Sequence, residues 1–457
     1  MGNFNTIVNG LATSPKVYEI SKAMLATNAG GETNIIELIQ DIKITESLYN
    51  SGLTVAIYCL DSTGLIDLLK IAGNEKIELV IERRDITDKT RKKFELEVYL
   101  AEIKDYSTPR PSSKAYTLYC VSEHVYLNAV KVLTRSFNNT PSNLIKSIVS
   151  KELNSEIDIR NPSTSPIKGI FPRLRPLSAI GWLLRNSFEN ATPNFFYETA
   201  KSGLIFDSYK KILDKDVYDT YDNHPNFKYT SKDEIEDLFD EERKKIRKVN
   251  SNLNLSKLKA SEKGAFGSTL HTIDVYNKTT ETKLYNYKNE QKLNDHPPVT
   301  DKMKYNNAKI TDYKLGKNYF ISYNSGSFEG QNNYHAPTDQ SILRSEAHHH
   351  NLDTIIQDLV LPGDFDIESG DIIDLDILRN ADVTDEKKEA EDFKDNILSG
   401  KHLITGIIHH FSNEGYFMKV KVKKDSFLKE LEGIKQSWCV EMKINILMVL
   451  LLGSQVK

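Results

Sequence analysis

A β-rich α+β fold, with one β-barrel-like unit toward each end of the chain and insertions between them, is predicted by three observations. Apolar and polar residues alternate at period two in short runs over 35–135 and again over 355–427. Two hairpins, one turning at Gly52 and one at Gly415, finish on the same pair, Asp61-Ser62 and Asp425-Ser426. Between them the pattern changes first to helical period and then to a stretch rich in Tyr, Asn, Lys and Ser with few aliphatics.

Residues 1–34, rich in Ser, Thr, Asn and Gly, read as an N-terminal arm with little structure of its own. From Asn34 onward, Ile36, Leu38, Gln40, Ile42 and Ile44 alternate with Glu37, Ile39, Asp41 and Lys43, a strand with one buried face. Asn50-Ser51-Gly52 supplies a turn, because Asn and Gly tolerate positive φ, and Leu53–Leu60 returns. Further strands are expected at Lys76–Arg83, Phe94–Lys104 and Ala115–Ser122, with the loop Ser107–Lys114 and its Pro109 and Pro111 breaking the last pair. Five β runs at this spacing make 35–135 a compact barrel or sandwich, the first β-barrel domain. Residues 136–255 read as a small α+β insertion. Thr140-Pro141 caps one helix, and Pro176 opens another with Leu177, Ile180, Leu183, Leu184 and Phe188 on one stripe. A hairpin follows, Asn194–Thr199 and Leu204–Tyr209 about Lys201-Ser202-Gly203.

Ser231-Lys232-Asp233-Glu234 is a capping box, and Arg243, Lys244, Lys245, Arg247 and Lys248 fall late in the helix expected behind it. That basic cluster reads as a solvated helix end, with an acidic partner or nucleic acid as the alternative. The second β-barrel domain is expected from 256–290 and 355–427, where Lys401–Phe411 and Tyr416–Lys423 make a hairpin. Residues 291–354 form a loop-rich, partner-facing insertion, and 428–457 a C-terminal tail. The pairs Ile103-Lys104 with Tyr119-Cys120 and Ile42-Lys43 with Tyr58-Cys59 add a further echo, so one kind of barrel is expected twice.

The totals restrict function. The chain has 457 residues and a net charge of -4. Near-balance of acid and base argues against a general grip on phosphate. Three cysteines, Cys59, Cys120 and Cys439, form no short-spaced pair, so neither a disulfide framework nor a zinc knuckle is expected, and the first two read as core hydrophobes. The N-terminus has no secretion-signal pattern, and the apolar run Ile444–Gly453 is about half the ~20 residues a spanning helix needs, so no membrane span is expected.

Chemistry has no visible carrier. Gly264-Ala265-Phe266-Gly267 is too short for a dinucleotide loop, and neither HExxH nor GxSxG occurs. His348-His349-His350, with His335 nearby, cannot all point at one metal from a single helix or strand. His409 and His410 lie in a strand and face opposite sides, one buried and hydrogen-bonded, one exposed. No catalytic, cofactor-binding or metal-ligating residue is assigned, and the chain is not expected to be an enzyme.

Three stretches resemble the baseplate central hub proteins of T-even-like contractile phages. They are Asp41-Ile42-Lys43-Ile44-Thr45-Glu46-Ser47-Leu48 through the turn into Leu53–Ser62; Arg175–Arg185 with Pro193–Thr199 and Gly203–Phe206; and Glu368-Ser369-Gly370-Asp371 with Ser399–Thr405 and its hairpin. The resemblance implies two tube-type β-barrels per subunit and a homotrimer. Its pseudo-sixfold ring joins a hexameric tail tube to a trimeric central spike and leaves a channel through which DNA passes without specific binding. It implies no catalytic residues, a place in the virion tail baseplate and assembly in the host cytoplasm. Exposed strand edges should be capped by neighbouring subunits, and the lumen should be neutral or mildly acidic. Residues 290–352 and those after Glu430 depart from the family pattern. The alternatives are a hub of a phage-like injection or type VI secretion machine and, in another class, a virion-associated hydrolase of glycans or cell wall.

Overall fold

A computed structural model of the chain describes residues 18–27, 30–83, 92–110, 112–164, 166–186, 192–223, 243–254, 257–275, 278–287, 294, 304–305, 308–309, 316–322, 336–379 and 394–428. Its first seven strands are β1 (Tyr18–Ala26), β2 (Glu32–Asn34), β3 (Ile39–Ser47), β4 (Thr54–Asp61), β5 (Lys76–Arg83), β6 (Lys93–Arg110) and β7 (Ser113–Ser122). The middle of the chain supplies β8 (Leu133–Asn139), β9 (Ile157–Ile159), β10 (Ile167–Leu174), β11 (Asn194–Thr199) and β12 (Gly203–Ser208). Next come β13 (Val217–Asp222), β14 (Lys248–Leu253), β15 (Gly267–Asp274), β16 (Thr279–Asn286), β17 (Lys304–Tyr305), β18 (Ala308–Lys309) and β19 (Lys317–Ser322). The last four are β20 (Ile355–Pro362), β21 (Ile372–Asp376), β22 (Gly400–Ser412) and β23 (Gly415–Lys424).

Thirteen strands form one sheet. Its main path runs β14-β20-β23-β22-β3-β4-β7-β6-β5-β1-β2, and β21 branches from β22 to carry β13. Period-two alternation decides which face is inside: Val55, Ile57 and Cys59 on β4 and Met418, Val420 and Val422 on β23 point into one continuous core. Phe94 of β6 reaches Phe411 of β22 and Phe365, with ring centroids 6.4 and 4.7 Å away, so the cores of the two halves meet.

The same strand order occurs twice in that sheet. In the first half it is β3-β4-β7-β6-β5-β1, and in the second β14-β20-β23-β22-β21-β13, with the strands met in the same chain order. The match extends to single bonds. Asn74 N–H donates to Leu100 O at 2.7 Å and Leu100 N–H to Glu75 O at 2.8 Å; Gly370 N–H donates to Ile404 O and Ile404 N–H to Asp371 O, both at 2.9 Å. In each turn the acid accepts the N–H three residues back, Ala72 to Glu75 Oε1 at 2.8 Å and Glu368 to Asp371 Oδ2 at 3.1 Å. Asn74 and Gly370 both sit at positive φ, +66° and +94°. Each long strand carries a bulge at the same place, between Leu100 and Glu102 on β6 and between Ile404 and Gly406 on β22. The halves differ at the far strand, where β1 joins β5 antiparallel and β13 joins β21 parallel.

The halves are joined by β22 pairing antiparallel with β3, from Gly406 opposite Ser47 to Ser412 opposite Asp41. The middle region has its own core. Helices Pro141–Glu152 and Pro176–Asn186 lay Ile145, Ile148, Ile180 and Leu183 against Phe137, Phe171 and Phe206.

Several expectations change. Residues 18–34 are not a loose arm: β1 completes the first unit beside β5, with Ala23 and Leu25 buried. β6 runs on to Arg110, through Pro109, where a loop was expected, because an edge strand tolerates a missing N–H. Residues 217–222 and 248–253, expected in the insertion, belong to the large sheet, while 267–274 and 279–286 lie in a separate three-stranded sheet with β19. The loop-rich insertion holds the helix Ala336–Leu352, whose Leu343 and Ala347 pack on Leu270 and Tyr285. The Gly415 hairpin corresponds in the sheet to β6–β7 and not to the Gly52 hairpin, since short hairpin sequences converge and only strand order distinguishes them. The capping box at 231–234 and the tail from 429 lie outside the described residues.

Candidate functional site

The three stretches singled out in the sequence meet at one buried junction. The turn of the β11–β12 hairpin, residues 199–203, inserts between the two halves of the large sheet, and three glutamates hold it there. Glu46 of β3, 1 % exposed, accepts the Ala200 N–H at 2.8 Å on Oε2 and the Ser369 N–H at 2.6 Å on Oε1. His409 Nε2 lies 3.8 Å from the same carboxylate, and its Nδ1 is 2.8 Å from the Tyr416 hydroxyl, which donates to Asp364 O at 2.7 Å.

Glu198 ties the hairpin to the first half. Its Oε2 accepts the Leu53 N–H at 2.6 Å and the Ser122 hydroxyl, with His124 Nε2 3.8 Å away. Burial pushes this carboxyl up despite His124 and these two donors. Glu368 ties the hairpin to the second half. It receives Arg160 Nη2 at 2.9 Å, Thr199 Oγ1 at 3.0 Å and Ser202 Oγ at 2.7 Å. Burial alone would raise Glu368; the Ser202, Arg160 and Thr199 contacts outweigh it and hold the carboxyl below its ordinary value. Asp371 is raised by burial, against the pull of Lys215, whose Nζ donates to Asp371 Oδ1 at 3.1 Å and Gly370 O at 2.9 Å.

These carboxylates are engaged by backbone N–H groups, hydroxyls, a guanidinium and an ammonium, so the arrangement fixes position. Removing one partner tests it: Arg160→Ala leaves Glu368 buried with only neutral donors and is expected to lower stability by roughly 2–4 kcal/mol. Urea unfolding of the variant beside wild type reads this.

The other flagged residues do not converge. His348 packs between Tyr209 and Tyr287, with centroids at 4.9 and 5.3 Å; His349 lies against Phe195 at 5.9 Å; His350 Nε2 is 3.5 Å from Glu346. Successive helical residues point about 100° apart, which separates them. His335 lies outside the described residues. Among the described residues no group of three or more His, Cys, Asp or Glu could hold a metal ion, and no helix is long and apolar enough to cross a membrane. Cys59 and Cys120 are buried, and burial pushes the Cys59 thiol up to about 12. In the basic cluster, Lys244 and Lys245 pair with Asp219 and Asp222 at 2.8 and 2.6 Å, and Arg247 covers the Phe417 ring. His409 is fully buried, and His410, half-buried, meets Asp41 at 2.7 Å.

Sequence reasoning missed Lys424. It is fully buried, donates from Nζ to Ser399 O at 2.6 Å, and burial lowers its amine to about 7 against the pull of Asp395, Asp374 and Asp425. Its place in the alternation pointed inward, which was the available signal. Between pH 7 and the ordinary lysine value near ~10.4 the unfolded chain binds this proton and the folded chain does not, so stability rises with pH. We expect wild type to gain up to about 1.4 kcal/mol per pH unit over that window relative to Lys424→Met, measured as urea midpoints at paired pH values.

The outward sheet face carries both signs. Lys43 and Asp41 of β3, Lys419 and Lys421 of β23, Asp358 of β20, and Glu102 and Lys104 of β6 all lie on it, as the cross-strand register requires. Among the described residues β2 and β13 each pair with one strand only, and two further edges of the sheet are open. β14 pairs only with β20, and its residues from Asn250 to Leu253 are exposed. β6 pairs with β5 only as far as Tyr99, so Glu102–Arg110 have β7 on one side and no strand on the other.

No family model matches the chain, and no curated protein matches it in sequence. Solved structures do. A tail protein from Neisseria meningitidis MC58 is 10% identical, with 89% of this chain and 97% of that one covered at a TM-score of 0.50. The 43 kDa tail protein of prophage MuSo2 from Shewanella oneidensis gives 10% identity, 89% and 99% coverage and a TM-score of 0.50. A component of the E. coli type VI secretion system overlays more loosely, at 7% identity and a TM-score of 0.43. The chain shares the fold of these two tail proteins over 89% of its length.

Proposed function

We propose that this chain is a structural subunit of a phage-type tail, a baseplate hub of which three copies close a pseudo-sixfold ring between a hexameric tail tube and a trimeric central spike. The observation that carries this reading is the repeated strand order. A chain holding two units of one design, joined edge to edge in one sheet, presents six like units when three chains assemble. Two units that wobbled could not keep a ring in register, and the buried glutamates clamp both units to one hairpin. The proposal places the protein in the virion tail and requires no catalytic group.

The channel follows from the same geometry. If the outward face lines it, DNA meets lysines set among carboxylates, not a uniform basic wall, and an isolated lysine with an acid beside it releases few counterions on meeting phosphate. The sequence-based expectation of a neutral or mildly acidic lumen becomes one of mixed sign. The spike and tube proteins are the proposed partners. Solution mass by light scattering at micromolar concentration, followed by negative-stain imaging, tests the ring. A trimer with a central hole is expected. A monomer at every concentration reached, alone and with tail or spike protein added, overturns it.

A further inference from the structure

We infer that the contact between neighbouring copies is a second use of the joint already present inside the chain: the overhang of β6 in one copy pairs antiparallel with the open edge of β14 in the next. This deepens the ring reading and rests on it.

The repeat assigns the strands. Inside the chain, the C-terminal part of β22, beyond its bulge, leaves β21 and pairs with β3. The counterpart of β22 is β6, and that of β3 is β14. β6 has the same construction: it pairs with β5 up to Tyr99, bulges after Leu100, and continues to Arg110. Yet, among the described residues, the side that β3 covers on β22 is bare on β6, and the side that β22 covers on β3 is bare on β14. One missing partner on each end of the chain, of matching type, is what a head-to-tail ring leaves in a single copy. Exposure agrees, since residues 104–110 of β6 and 250–254, in and just after β14, are exposed, whereas Ile407, Ile42 and Ile44 at the covered joint are buried. The β14 edge is not protected as an isolated edge would be, with one charge and no proline between Lys248 and Leu253; the β6 overhang carries Pro109 and Arg110 only toward its tip, beyond the part assigned to the joint.

The bulges fix the register. Gly406, Ile407 and Ile408 lie opposite Ser47, Glu46 and Thr45. Carried across, Glu102 lies opposite Asn254, Ile103 opposite Leu253, and Lys104 opposite Asn252 of the neighbour. Toward the tip β6 has an extra residue between Lys104 and Ser107, so the assignment is made only on its near side. Leu253, 42 % exposed in the single chain, is then covered by Ile103, the place that Glu46 and Ile407 take in the internal joint.

Cysteine cross-linking tests this directly, because directly opposed β residues fall within the 4.4–6.8 Å Cα spacing of a disulfide. All variants carry Cys439→Ser; Cys59 and Cys120 are buried. Thr45→Cys with Ile408→Cys reports the internal joint and calibrates the oxidation. Lys104→Cys with Asn252→Cys is expected to give covalent dimers and trimers and nothing larger. The two single variants should cross-link when mixed, and neither should do so alone. Lys104→Cys with Ser251→Cys, whose side chains face opposite ways, should not. A ring of the expected mass that fails to cross-link at 104 and 252 overturns this pairing and leaves the ring reading standing. A monomer with no cross-link overturns both. A ladder running past three supports the pairing and refutes the closed trimer.

Discussion

Glu46→Ala is expected to lower the stability of the chain by about 3–5 kcal/mol, the range for removing one member of a buried charged network. Two buried backbone donors, Ala200 N–H and Ser369 N–H, lose their acceptor at once, and His409 loses the carboxylate beside it. Each unsatisfied donor costs about 1–3 kcal/mol by itself, and at a site 1 % exposed the bond is not replaced by bulk solvent at no cost. Glu46→Gln keeps the shape and one acceptor oxygen, so an intermediate loss is expected. Denaturant unfolding gives the magnitude, and amide exchange locates it: protection should fall first at Ala200 and Ser369, on two elements far apart in sequence. A loss below about 1 kcal/mol for the alanine variant would mean that the hairpin is held by packing alone.

Gly370→Ala is the second large effect, with a loss of roughly 2–4 kcal/mol expected from two separable causes. At φ +94° a Cβ is strained, and an added Cβ would lie 2.7 Å from the Tyr197 hydroxyl. The repeat offers the control. Asn74 holds the corresponding place in the first half at φ +66°, so that turn accepts a side chain. Tyr197→Phe removes the atom nearest to the new Cβ. A double-mutant cycle should therefore show Tyr197→Phe recovering the steric part of the Gly370→Ala loss and leaving the backbone part, with a coupling of about 1 kcal/mol or more in unfolding free energy. Purely additive losses would place all of the cost in the backbone.

Much of the large sheet was legible because its residues obey a local rule. Val55, Ile57 and Cys59 alternate with Thr54, Ala56 and Tyr58, and period two in the sequence is the pleat of the strand. The helices behind Pro141 and Pro176 were legible from a cap, a proline at the first turn and a 3.6-residue stripe. β14 was not, because Lys-Val-Asn-Ser-Asn-Leu offers only Val249 and Leu253 on one face, with Ser251 between them, and of these Val249 alone packs on the core. β1 was hidden by its setting, and Lys424 by its type, since a buried lysine in a strand reads as an outward residue unless its neighbours are known.

The sequence by itself determined the β-rich class, the alternation of its main strands and the helices behind Pro141 and Pro176, because each of these depends on contacts between neighbours in the chain. Tertiary structure alone decided that Glu46, Glu198 and Glu368 share one hairpin turn, that 217–222 and 248–253 leave the insertion for the large sheet, and that Gly415 answers to the β6–β7 turn. Those facts rest on which strands lie side by side. A strand's own residues state its alternation but carry almost no record of the neighbour that will hydrogen-bond to its edge, since the backbone groups that do so are the same in every residue.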